Sequence, residues 1–285
     1  MKIEPRSFIE CKSMDEFYGH LSDSQALIYD IETEPLPLDQ IAHFFDKSKV
    51  KLPDRPADFD VSAIKYGNIK NESLKQEKRQ QARESHQTTI RVWQESCRKK
   101  TEQAYQDFVD SAALSAMTSR LCAIGYGAVK QDALYVYLDM REDDEEMAIA
   151  EFFMNILSID SRGSIIGFND HTFDLPYVIR RSWKYPNVCT PPLFNNYWKL
   201  PNNFIDLKKE WKMGDARANI RLTNLCKYFG VRDKLEGMTG DMFHQVLKED
   251  WWTAYDYLLG DILSTYECAV KIGACNATKA IWRKT

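Results

Sequence analysis

Apolar residues follow two periods along this chain, and together they predict a mixed α/β fold. Continuous runs rich in β-formers mark buried strands over 26–31, 119–129, 133–138 and 164–168. The second and third flank a Lys130-Gln131-Asp132 turn and read as an antiparallel hairpin. A helix precedes the fourth, so a parallel crossover is its natural connection. Shorter signals at 7–11 and 204–207 read as a strand or lead-in and as a short strand or turn.

The helical period appears over 14–21, at 41–45, and after Asp143, which with Glu146 resembles a capping box. That third helix is expected to turn Met147, Ala150, Phe153, Met154 and Leu157 inward. Further helices are expected over 174–183, with Pro176 in the tolerated first turn, and over 222–229, stopped by Gly230. The last spans about 250–272 on a stripe of Ala254, Leu258, Ile262, Thr265 and Ala269.

One segment breaks both patterns. Across 65–100 there are ten Lys or Arg against four acidic residues, in a chain whose net charge is -4. With no Gly or Pro after Gly67, it should be helical. Between Ser73 and Thr89 only Leu74 and Ala82 are apolar, so this part of the helix has little to bury. Lys75, Arg79 and Arg83 recur every fourth residue as one basic stripe, either a solvated face or a phosphate contact.

Composition narrows the class. The chain is 44% hydrophobic and 12% aromatic, enough for a substantial core. No apolar run approaches the roughly 20 residues that cross a bilayer, and Met1–Arg6 carries no signal-type apolar stretch. Seven cysteines without a C-x-x-C pair indicate neither a zinc site nor a disulfide framework, so reduced thiols and a cytoplasmic location are expected. The acidic balance argues against a protein held to nucleic acid by overall charge, though not against a local basic groove.

The chemistry lies where carboxylates interrupt the apolar pattern. Asp30 and Glu32 stand two residues apart in the 26–34 strand and so share one face. Like charges on a buried strand need a partner, and hard divalent cations such as Mg²⁺ or Mn²⁺ are the usual one. The strand ends at Asn169, a loop turns, and Asp174 opens a helix, a strand–turn–helix site where open α/β sheets carry their chemistry, although an acid there also suits the helix dipole. Tyr257 and Asp261 lie one turn apart on the border of the last helix's apolar stripe. A loop with Lys234, Gly237 and Gly240 is open enough for its backbone to approach a phosphate.

Taken together, Asp30-x-Glu32, Asn169-x₃-Phe173-Asp174 and Tyr257-x₃-Asp261 resemble the three motifs of the DEDD exonuclease superfamily in its tyrosine-bearing branch. The nearest likeness is to the proofreading exonuclease domains of family-B DNA polymerases. The resemblance covers about 26–34 and 119–270. It implies a ribonuclease-H-like fold, a five-stranded mixed sheet flanked by helices whose first three strands are antiparallel. The whole chain, 1–285, then reads as a single stand-alone exonuclease domain with a basic helical insertion at about 38–112, between the first two core strands.

The implied activity is two-metal hydrolysis of phosphodiester bonds from the 3′ end of single-stranded nucleic acid, DNA in preference to RNA. Asp30 would bridge two Mg²⁺ or Mn²⁺ ions, Glu32 and Asp261 would complete one site, and Asp174 would hold the second ion. Tyr257 would orient the attacking water. Asn169, Phe173 and Tyr177 are the candidates for holding the terminal nucleotides, by amide contact or stacking; Lys75, Arg79 and Arg83 are candidates for phosphate. Phe168 is better suited to core packing. The insertion offers a further surface for a protein partner. The alternatives are an exoribonuclease of the same fold and a non-catalytic nucleic-acid-binding subunit.

Overall fold

A computed structural model describes residues 8–140, 144–159, 162–195, 200–232 and 240–277. Asp143, Lys234 and Gly237 lie outside the described residues. The chain separates into two units, one formed by 1–36 with 112–285, the other by 37–111.

The first unit is built on a six-stranded sheet in the order β1-β4-β3-β2-β5-β6. Its strands are β1 (Phe8–Glu10), β2 (Ala26–Pro35), β3 (Ser119–Val129), β4 (Leu134–Asp139), β5 (Ser164–Gly167) and β6 (Phe204–Asp206). β2, β3 and β4 pair antiparallel, whereas β5 joins β2, and β6 joins β5, in parallel. The expected five strands thus become six, because Phe8–Glu10 pairs in parallel with Leu134–Val136 at the β4 edge. Three residues were too short a signal to separate from a lead-in.

The helices of this unit are α1 (Met14–Tyr18), α4 (Glu145–Ser158), α5 (Asp174–Ser182), α6 (Leu207–Lys212), α7 (Leu222–Phe229), α8 (Phe243–Glu249) and α9 (Trp251–Ile272). The other unit holds α2 (Leu38–Ile41) and α3 (Glu72–Asp110). Strand alternation divides the core. Leu27, Tyr29 and Ile31 pack with α4 and α5, while Ala26 and Ile28 pack with α7 and α9.

One helix face differs from expectation. Met147, Met154 and Leu157 of α4 are exposed, and Ala148, Ile149, Phe152, Phe153 and Ile156 are buried. Asp144, one residue past the expected cap, accepts the Met147 N–H and starts the helix. Its phase is set by a buried charge. The Glu145 carboxylate accepts hydrogen bonds from Leu121 N–H at 2.8 Å, from Arg181 Nε at 2.7 Å, and from the Tyr185 hydroxyl. An inward Glu145 carries residues three and four further on inward with it.

In the other unit α3 begins at Glu72, capped by Asn71, whose Oδ1 accepts the Ser73 N–H at 2.9 Å. No α3 residue is fully buried, yet the preceding segment contacts its basic stripe. Arg79 Nε donates to the Tyr66 hydroxyl at 2.6 Å, Arg83 lies 5.9 Å from the Phe59 ring centre, and Lys75 donates to Glu72 at 3.2 Å. Trp93 Nε1 donates to the Pro53 carbonyl at 3.0 Å. The stripe therefore has partners within its own unit, which the polar spacing of α3 did not disclose.

Candidate active site

The site forms where β2 outruns β5. β5 pairs only with Ala26–Ile28, so beyond Ile28 that edge of β2 is left to other donors and acceptors. Asp174, the first residue of α5, occupies it: its Oδ1 accepts the Ile31 N–H at 3.3 Å. Asp30 and Glu32 flank Ile31 and project to the α9 side of the sheet. There Asp261 joins them, and one ligand oxygen from each of the three lies within 4.8 Å of the others. Glu32 and Asp261 are buried, at 6% and 2% exposure.

α9 reaches this position because β3 is narrow beneath it. A Cβ on Gly125, which pairs with Asp30, would stand 2.7 Å from Ile262 Cγ1; one on Gly127 would stand 3.1 Å from Ile262 Cγ2. The two glycines let Ile262 sink toward the sheet and carry Asp261 with it. Tyr257, one turn earlier on α9, is also buried, its ring centre 5.9 Å from that of Phe243. Gly240 closes the site nearby, since a Cβ there would be 3.7 Å from Glu32 Oε2 and 3.9 Å from the Tyr257 hydroxyl.

Three carboxylates and no nitrogen or sulfur ligand make a hard-oxygen donor set, which suits Mg²⁺ or Mn²⁺. Burial and mutual repulsion of these acids both favour a bound cation. The residues present fit a divalent metal.

A second acidic layer supports Asp174. Asp206, at the end of β6, accepts N–H groups from Asn169 and Lys208 at 2.9 Å each, and from His171 and Lys209 at 3.3 Å. It thereby caps α6 and fixes the β5–α5 turn. Asp170 accepts the Tyr29 hydroxyl at 2.9 Å, while its Oδ1 is buried with no hydrogen-bond partner among the described residues. Burial, reinforced by Asp206, pushes the Asp170 carboxyl up to about 8. Burial, reinforced by Asp170, pushes Asp174 up to about 8 as well.

Asn169 adopts a left-handed φ of +69° in this turn. Its Oδ1 accepts from Lys208 Nζ at 3.1 Å and from the Thr172 hydroxyl at 2.6 Å. An ammonium only donates, so the amide oxygen must face Lys208 and the NH₂ group faces away. Phe173 is half-buried beside Tyr177, with ring centres 5.7 Å apart.

Tyr177 corrects an expectation. It is buried to 2% exposure and its hydroxyl lies 2.7 Å from Ser119 Oγ. It ties α5 to β3 and has no open ring face on which a base could stack. Phe168 packs at the edge of the α7–α9 core, as expected.

Several residues at or near the site escaped the sequence reading, among them Glu34, which pairs with Arg120 and Lys248 two residues beyond Glu32. Asp206 carried a usable signal, an acid between a strand and a helix. Glu34 had one too, as the next residue on the Asp30–Glu32 face. Arg120, Lys208 and Lys248 had none, because a single cation on a strand or helix is common and its partners lie far away in sequence.

Residues 111–278 match a family described as a predicted 3′-5′ exonuclease related to the exonuclease domain of PolB. No curated protein matches the chain.

Proposed function

The chain belongs to this family of predicted 3′-5′ exonucleases related to the exonuclease domain of PolB, and on that premise we propose that it hydrolyses single-stranded DNA from the 3′ end with two divalent cations, Mg²⁺ or Mn²⁺. The observation that carries the reading is the convergence of Asp30, Glu32 and Asp261 from β2 and α9 on one point. DNA is preferred to RNA here because the family is described by its relation to PolB.

In this reading Asp30, Glu32 and Asp261 hold the cations, with Asp174 contributing from the open β2 edge. Bound cations supply charge to the attacking and leaving oxygens of the phosphodiester. The Tyr257 hydroxyl, beside Glu32 and Gly240, orients the attacking water by hydrogen bonding to its oxygen. The outward NH₂ of Asn169 donates to acceptors of the terminal nucleotide, and the half-buried Phe173 offers a ring edge to its base. Lys75, Arg79 and Arg83 are proposed as a second phosphate contact, supported by their charge alone. The α3 unit is also a candidate surface for a protein partner.

The test is digestion of 3′- and 5′-end-labelled single strands, DNA and RNA in parallel, with Mg²⁺, Mn²⁺ or chelator. The expected result is metal-dependent shortening of DNA from the 3′ end, absent in Asp30→Ala and Asp174→Ala. Faster loss of RNA would assign an exoribonuclease. Binding without digestion would make the chain a non-catalytic subunit, and wild-type digestion by Asp30→Ala would overturn the site.

A further inference from the structure

Beyond the catalytic acids, β2 carries a third carboxylate on the same face. Glu34 is 3% exposed and has two cationic partners. Its Oε1 accepts from the Arg120 guanidinium, and its Oε2 pairs with the Lys248 ammonium 2.9 Å away. One carboxylate needs one counter-charge, so the trio carries a surplus positive charge. Arg120 uses Nε and one terminal nitrogen on Glu34. Its Nη1 is not engaged by Glu34. Both side chains reach water, at 31% and 58% exposure.

The position of this charge gives it a use. Glu34 follows Glu32 by two residues, ~7 Å along a strand, a separation on the scale of neighbouring phosphates in a single strand. Lys248 sits on α8, whose preceding turn begins at Gly240 beside Glu32 and Tyr257. A planar guanidinium with spare donors beside an ammonium is a phosphate-binding pair. Glu34 holds the two together and keeps the Arg120 fork in one orientation.

We propose that Arg120 and Lys248, clamped by Glu34, form a subsite for an internal phosphodiester of the bound strand, one or two linkages from the bond being cut. The proposal rests on the exonuclease reading and adds to it where the rest of the strand is held.

The experiment measures binding of a short single-stranded DNA in Ca²⁺, with one neutral methylphosphonate placed in turn at each of the last four linkages. For the wild type, one placement inside the terminal linkage is expected to weaken binding by about three- to tenfold. Lys248→Gln is expected to weaken binding of the unmodified strand by a similar factor and to flatten the log K against log salt slope by about 0.7. In that variant the sensitive placement should lose most of its effect, because both changes remove the same contact. Additive losses for Lys248→Gln and the methylphosphonate, or an unchanged salt slope, would overturn the subsite while wild-type digestion stood. A wild type that neither binds nor digests the strand would overturn the exonuclease reading, and the subsite with it.

Discussion

A Cβ on Gly125 would stand 2.7 Å from Cγ1 of Ile262, so the bareness of one strand residue sets how closely α9 lies on the sheet. The consequence reaches the site through the adjacent residue, Asp261, and through Tyr257 one turn away. Gly125→Ala should lift α9 locally, costing about 1–3 kcal/mol of stability. Turnover should fall further, by roughly 10²-fold, as displacements near 1 Å do in catalytic constellations. Adding Ile262→Ala should recover part of the turnover. Denaturant unfolding and single-turnover digestion, run on both variants, check this; equal turnover in Gly125→Ala and wild type would show that α9 has slack.

Metal and stability should be linked. A divalent cation that binds the folded but not the unfolded chain raises the melting temperature by an amount that grows with the logarithm of its excess over Kd. Mg²⁺ or Mn²⁺ should stabilise the wild type by several degrees, chelator should reverse it, and Asp261→Asn should lose most of the response. Thermal melts across a metal titration read it directly.

Tyr257→Phe should keep the packing against Phe243, since the ring is retained, while slowing turnover by roughly 10–10³-fold. The measurement is single-turnover digestion at saturating metal. An unchanged rate would return Tyr257 to a packing role.

Metal-free stability should fall as pH rises. Burial raises Asp170 and Asp174 to about 8 from an ordinary 3.8. Between those values the folded chain keeps protons that the unfolded chain has released, so folding is favoured at the acidic end and weakened toward pH 8. Each group contributes a slope of about 1.4 kcal/mol per pH unit at most. Asp170→Asn keeps an acceptor for the Tyr29 hydroxyl and should remove about one group's share of the slope. Urea unfolding from pH 5 to 8 in chelator tests it.

The α3 stripe separates two roles. If Lys75, Arg79 and Arg83 contact phosphate, replacing all three by Ala should flatten the salt slope of single-strand binding by about 2. If they serve only Glu72, Tyr66 and Phe59, the slope should hold and the melting of their unit should change.

Local pattern alone determined much of this protein. Apolar runs located β2 to β5, and the 3.6-residue period with Gly230 as a stop located α7 and α9, because strand and helix periods act over a few residues. The Asp30-x-Glu32 spacing placed both carboxylates on one face because strand side chains alternate. Packing decided the rest. The phase of α4 follows from Glu145 meeting Arg181, 36 residues away, and no apolar count registers a buried ion pair. Tyr177 became a core residue because Ser119 meets its hydroxyl. The α3 stripe acquired partners from a segment whose path along the helix no periodicity encodes. Asp261 meets Asp30 and Glu32 only because glycines on a third element, β3, leave room for Ile262. Motifs in sequence name the acids, but convergence is a property of distances between elements, and those are set by side-chain volumes far apart in the chain.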